Sequence, residues 1–309
     1  MHQPGGTESR EVKAAASLPT SDRSAGLLRA VGQGRRLAGR RPASFSALAR
    51  TERVALWAAG IGLLFALIAP GLAPHGPTTL VGIPLSPPSG AHLLGTDDQG
   101  RELLARILYG MRTSVLSAAV VIASGVLIGG VIGLVAGMAG GILDALLMRL
   151  TDLFLALPGP LLVLAIVGAL GPSLKHTLIG VCIVWWPWYA RVMRGQARAT
   201  VAMPHVEAAR LAGLSRMRVA LKHVLPSSFG PIVVTASLDV GNVILLLASL
   251  SFLGLGSPDP ASELGSMTAR GLTYLFTNWN VAVLPAAAVF ILVFIANFAG
   301  DAIRDLVEG

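Results

Sequence analysis

Asp239 lies in the middle of the apolar stretch Phe229 to Leu255, where an ionised carboxylate is costly. Insertion scales put such a group at the centre of a membrane helix at about 2.5–3.5 kcal/mol. Thr235, Asp239, Asn242 and Ser249 follow one another at i, i+4, i+7 and i+14, and on a 3.6-residue period they form one narrow stripe. Such a stripe is expected to face the inside of a bundle. It could line a translocation path and meet an amino group or a metal cation, or it could pair with a neighbouring helix. The reading adopted is interior packing with a polar path beside it. Asp152, close to the end of another apolar run, reads as a helix-end or interfacial group.

A second constellation runs His205-Val206-Glu207-Ala208-Ala209-Arg210-Leu211-Ala212-Gly213 and continues through basic residues to Leu225-Pro226. Pro204 suits a helix start, Glu207 sits where the helix dipole favours an anion, and Gly213 suits the end. The paired alanines would let another protein approach the helix backbone closely. The other reading is an amphipathic helix lying on anionic lipid. A third constellation precedes the second long apolar run. Thr96 or Asp97 is a good helix N-cap, Glu102 and Arg106 are four apart in favourable order, and Leu103, Leu104, Ile107 and Leu108 form an apolar face. This predicts a short amphipathic helix at the surface.

Several chemistries are missing. None of Lys13, Lys175 and Lys222 follows a glycine, so the chain holds no phosphate-binding Gly-x-x-x-x-Gly-Lys-Ser/Thr loop. His-Glu-x-x-His and Gly-x-Ser-x-Gly do not occur, and the 6 histidines are scattered; His205 and His223 read as surface groups. One cysteine, Cys182, excludes an internal disulfide and a Cys-ligated zinc site.

The elements that must hold these residues follow from composition. Of 309 residues, 53% are hydrophobic and 13% charged, with mean hydropathy +0.69, against about 25% charged in soluble domains. Long uncharged runs predict six membrane helices: Val54 to Ala73, within Thr113 to Leu143, Leu153 to Leu174, a shorter one between Lys175 and Arg191, Phe229 to Leu255 around Asp239, and one within Gly271 to Gly300 from about Val281. Alternating ten-residue strands are absent, so the expected class is an all-α integral membrane bundle. Of the 24 basic residues, 10 lie in residues 1–53 and 7 between Arg191 and Lys222. With six spans both clusters fall on one side, which the positive-inside rule makes cytoplasmic. The same clusters abut apolar segments, which argues for membrane lipid and against nucleic acid as the partner of a chain with pI near 10.7. The organisation expected is a largely disordered basic tail (1–53), a first helix (54–73), an extracytoplasmic segment (74–112), and a core (113–305) containing the cytoplasmic loop 197–226.

The spacing Glu-Ala-Ala, three residues, Gly, and then Leu-Pro resembles the loop motif of ABC importer permeases, with Glu207, Ala208, Ala209, Gly213, Leu225 and Pro226 matching. In that family the loop is a coupling helix that docks on a cytoplasmic ATPase. The run Leu94-Gly95-Thr96-Asp97-Asp98-Gln99-Gly100-Arg101-Glu102 through Gly110 is similar to the segment before span two in dipeptide, oligopeptide and nickel permeases, in their C-type subunit. Met148 to Asp152 with Pro158-Gly159, Ser249 to Gly256, and Gly300-Asp301 with Arg304-Asp305 extend the similarity. Leu264 stands where that family usually has a Trp before the Gly-x-Met.

The resemblance implies a non-enzymatic transport subunit in the bacterial cytoplasmic membrane. Its implied partners are a homologous second permease, two ATPase subunits that bind ATP and Mg, and an extracytoplasmic substrate-binding protein; no cofactor or metal is expected in this chain. Peptide is the substrate class favoured, since no His or Met cluster lies on the polar stripe. A nickel importer of the same family is the alternative. An ATP-independent channel or secondary transporter would leave the Glu-Ala-Ala loop without a purpose.

Overall fold

The computed structural model describes residues 50–308, and among them every regular element is helical. Extended pairing is confined to two isolated bridges, Leu80 with Arg101 and Thr96 with Glu102. The predicted basic tail lies outside the described residues except for 50–53, which open helix α1, Arg50–Ile68. A tight turn, Ala69–Leu72, follows where Pro70 interrupts the ladder.

Helix α2, Leu103–Ala139, has 37 residues and is roughly 55 Å long. It absorbs both the predicted amphipathic segment and the predicted second span, because nothing between them breaks a helix: Arg112 ends an uncharged run but not a hydrogen-bond ladder. Gly140 and Gly141, with φ of 64° and 57°, end it. The predicted third span, Leu153 to Leu174, is also corrected. Helices α3, Gly141–Ala156, and α4, Gly159–Leu170, meet at 83°. Pro158 excludes the α conformation at Leu157, which is extended (φ −95°, ψ 139°).

Helix α5, Leu174–Val201, is capped by the Ser173 hydroxyl and continues past the apolar run through Arg191, Arg194 and Arg198. Helix α6, Pro204–Leu211, and the single turn α7, Arg216–Val219, lead through a widened turn, Ala220–Val224, into α8, Leu225–Leu250. A second widened turn, Ser251–Leu255, ends α8, and α9, Leu264–Gly271, precedes the last helix, α10, Asn280–Glu308. By length and composition three described runs can cross a membrane, Leu103–Ala139, Arg216–Leu255 and Asn280–Val307, and a fourth does so if α3 and α4 count as one bent span.

The bundle is held at its centre by glycine. Gly125, Gly129, Gly133 and Gly137 repeat every fourth residue on α2 and lie against α5. An added Cβ at Gly129 would strike the Trp186 carbonyl, and one at Gly133 the Ala190 carbonyl. Lipid supplies no hydrophobic drive between helices, so close packing along such a stripe is what holds a pair together. The main core gathers Val121 of α2, Val181 of α5, Val243, Ile244 and Leu247 of α8, Leu264 of α9, and Leu292 of α10. Outside, Leu127, Val131, Ile142, Phe290 and Phe298 are at least half exposed, which suits hydrocarbon better than water.

Candidate translocation site and coupling surface

The glycine contact fixes where α5 presents Trp185 and Tyr189, four residues apart and therefore on one face. Both reach across to α8. The Trp185 indole N–H donates to Asp239 Oδ2 at 2.7 Å, and the Tyr189 hydroxyl donates to the same oxygen at 3.1 Å. Asp239 is 9% exposed, and neither partner is a cation. Neither ring partner was picked out from sequence, although their i, i+4 spacing opposite an acidic helix was available as a signal.

Beside this pair opens a cavity of about 670 Å³ lined by residues of α3, α4, α5 and α8, among them Trp185, Trp188, Thr235, Asp239 and Asn242. The break between α3 and α4 forms its rim through Leu157, Pro158 and Gly159. Three of the four stripe residues thus share one space. Ser249 does not: it donates to the Leu245 carbonyl at 2.7 Å and lines a separate hollow of about 340 Å³ toward α9 and α10. Ten residues beyond Asp239, about 15 Å at 1.5 Å per residue, the same helical face has left the cavity.

At the end of the bundle bearing the basic loop, Asp144 of α3 is 4% exposed and is gripped by α5. Arg194 donates to both of its oxygens, at 2.5 and 2.8 Å, and Arg198 donates at 2.6 Å. Arg191 pairs with Asp152 at 2.7 Å, with both side chains about half exposed. Arg191, Arg194 and Arg198 recur at helical spacing, so this face was readable, but its acidic partner is 50 residues away from Arg194 in sequence.

Helix α6 begins with Pro204 at its first position and carries Glu207 in its first turn. It ends in a Schellman closure: Leu214 N–H donates to Ala209 O, Gly213 N–H donates to Arg210 O, and Gly213 takes φ +84°. Val206 is fully buried in a small cluster of its own with Ala197, Val219 and Val224. Glu207, Ala208 and Leu211 face outward, and Ala209 is half-buried. Leu225 and Pro226 open α8. His205 and His223 have ring centroids 5.8 Å apart.

At the opposite end, the structure corrects the predicted cap. Helix α2 starts at Leu103, and its cap residue Glu102 makes no side-chain capping bond. Thr96 donates instead to the Ile83 carbonyl and accepts from Ser86 N–H, while Asp97 accepts from the backbone N–H groups of Gln99 and Arg101. Glu102 and Arg106 do not pair: Glu102 meets His75 at 2.7 Å, and Arg106 reaches the Ala261 carbonyl at 3.1 Å. Arg101, 1% exposed, donates from Nε to Asp97 at 2.6 Å and forks onto both oxygens of Asp259 at 3.0 Å. Gly95 and Gly100 hold the loop in left-handed turns where a side chain would strike the Ser86 and Gly82 carbonyls. Burial works to raise the Asp259 carboxyl, but Arg101, Gln99 and Arg270 outweigh it and hold it below the usual carboxylate range. This segment is therefore a buried clamp on the loop before α9, and not an exposed amphipathic helix.

The chain belongs to the family of binding-protein-dependent transport system inner membrane components, whose model matches residues 129–309. It is a multi-pass membrane permease of the ABC importer class. It is 40% identical over 247 residues to the probable D,D-dipeptide transport system permease protein DdpC of Escherichia coli (strain K12), covering 80% of this chain and 83% of that one. With the di/tripeptide transport system permease protein DppC of Pseudomonas aeruginosa (strain UCBPP-PA14) it shares 38% over 261 residues, covering 80% and 86%. Among solved structures, the MetNI methionine ABC transporter in its inward-facing conformations superposes with a TM-score of 0.52 at 22% identity, over 65% of this chain and 95% of that chain. That likeness is one of fold.

Proposed function

We propose that the chain is the permease subunit of an ATP-driven importer of di- or oligopeptides. It would cross the cytoplasmic membrane six times, with α1, α2, the bent pair α3 and α4, α5, α8 and α10 as the spans and both termini in the cytoplasm. The observation that carries this reading is helix α6: an eight-residue helix, started by Pro204 and closed at Gly213, with Val206 as its one fully buried residue, that leaves Glu207, Ala208 and Leu211 outward. A helix so placed turns most of its surface away from the bundle and suits a groove on a cytoplasmic ATPase. Two ATPase subunits would bind ATP and Mg, a homologous permease would complete the path, and an extracytoplasmic binding protein would deliver substrate. The path is assigned to the cavity at Thr235, Asp239 and Asn242. Relatives named for dipeptides and di/tripeptides favour peptide over a metal.

The test is reconstitution of this subunit with its partners in proteoliposomes. ATP-dependent accumulation of a labelled tripeptide, and ATP hydrolysis stimulated by loaded binding protein, are expected. Accumulation of nickel and not of peptide would overturn the substrate assignment, and accumulation without ATP would overturn the class.

A further inference from the structure

Asp239 is a half-used carboxylate. Oδ2 accepts two hydrogen bonds, from Trp185 and Tyr189, whereas Oδ1 accepts none among the described residues, although the side chain is more than nine-tenths buried and lines the cavity. The two groups bonded to Oδ2 are neutral donors, so no cation among the described residues is bonded to this carboxyl. No arginine, lysine or histidine among the described residues lines this cavity.

Apart from Asp239, the wall carries no ionisable side chain among the described residues. Helix α3 ends at the rim with Phe154 and Leu155, and the carbonyls of its last turn carry the negative end of the helix dipole. No backbone N–H among the described residues outside α3 donates to them. At the facing start of α4 the Gly159 N–H stays available at the rim, with the positive end of that helix's dipole. Pro160 has no N–H, and Leu161 and Leu162 both donate to Pro158 O. Trp185 and Trp188 add aromatic surface, which attracts cations. Asn242 stands three residues along α8 from Asp239, one helical turn away. The volume of about 670 Å³ lies within the range of about 300–1,000 Å³ typical of small-molecule sites.

Resting on the peptide reading above, we infer that Asp239, with its free Oδ1 beside Trp185 and Trp188, is an ammonium-recognising station that takes the α-amino group of the passing peptide. Trp185 and Tyr189 are positioning residues: they hold Oδ2, so that only Oδ1 meets substrate.

The test uses the full transporter in proteoliposomes with its binding protein, and two probes, trialanine and N-acetyl-trialanine, each supplied at a concentration that saturates the binding protein. Asp239→Asn keeps the shape and removes the charge. Uptake of trialanine is expected to fall at least tenfold relative to wild type, while uptake of the acetylated peptide changes less than twofold; Asp239→Glu restores trialanine uptake. Equal losses for both peptides would mean that Asp239 only supports the fold, and no loss for either would place it off the path; both results overturn the station. To keep a folding defect visible, complex yield and melting temperature are measured for both variants, and a collapse of both in Asp239→Asn likewise overturns it. Wild-type complex that takes up neither peptide would overturn the peptide reading itself, a result separate from any effect of Asp239.

Discussion

Replacing Gly129 by alanine adds one methyl group at the tightest point between α2 and α5. Its carbon would lie 2.8 Å from the Ala190 amide nitrogen and 2.8 Å from Tyr189 Cβ, and it would overlap the Trp186 carbonyl. Unstrained carbon contacts lie at about 3.5–4.0 Å, so the two helices must separate by on the order of 1 Å. Overpacking of this kind commonly costs about 1–3 kcal/mol, which corresponds to a fall in melting temperature of roughly 1.5–5 °C for a chain of this size. The displacement also falls on Tyr189, whose bond to Asp239 is already 3.1 Å long. Thermal unfolding of the purified complex and peptide uptake are the assays. Gly168→Ala is the control, because a Cβ there meets nothing within 4 Å, and it is expected to leave stability unchanged or raise it by up to about 1 kcal/mol. Indistinguishable melting of the two variants would refute the claim that the glycine stripe sets the distance between α2 and α5.

Ala209→Trp and Glu207→Lys are expected to insert and fold normally but to lose ATPase association, measured by co-purification; wild-type association in both would return α6 to the lipid surface. Arg101→Ala removes the cation hydrogen-bonded to both Asp97 and Asp259, leaving them, among cations, only the longer contacts to Arg106 and Arg270, and it should lower the melting temperature by several degrees and loosen the loop before α9, read by limited proteolysis. Because the Asp259 carboxyl is held below its ordinary value of 3.8, its contribution to stability is present above that value and is lost as pH falls through the lower, folded-state value. Melting curves from pH 6 down to pH 3 should therefore show a smaller acid loss in Asp259→Asn than in wild type. Reporter fusions after Arg53, His92, Lys222 and Glu263 should read in, out, in, out, and an outside reading at Lys222 would separate α6 from any cytoplasmic ATPase.

Local rules reached some elements and not others. The ends of α6 were legible because Pro204 and Gly213 act on their own backbone, whatever surrounds them. The break at Leu157 was equally local, since Pro158 announces it, but a count of uncharged residues passes over a bend that changes no hydropathy. The cap assigned to Thr96 or Asp97 failed for a different reason: both side chains are taken up by a loop, and their partners at Ile83, Ser86 and Arg101 are set by tertiary pairing. Asp239 was picked out by its cost in an apolar helix, whereas Trp185 and Tyr189 lie on a helix 50 or more residues earlier and look there like ordinary packing residues. The stripe from Gly125 to Gly137 was present in the sequence as a four-residue repeat, and it gains meaning only once the partner helix is known.

The small cluster under α6 ties three parts of the chain together at one point: Val206 from the helix itself, Ala197 from the end of α5, and Val219 and Val224 from the approach to α8. The same two long helices carry Trp185 and Asp239, bonded to each other at the edge of the cavity. On the coupling role proposed for α6, a push delivered there would be shared between two lever arms whose far portions border Asp239. On α5, Ala197 and Trp185 are 12 residues apart, or about 18 Å of helix; on α8, Leu225 and Asp239 are 14 residues apart, or about 21 Å. Nearly equal arms from one fulcrum would turn a small displacement at the surface into a comparable one across the cavity. The Trp185 to Asp239 bond, which spans both arms, is the contact that registers any difference between them.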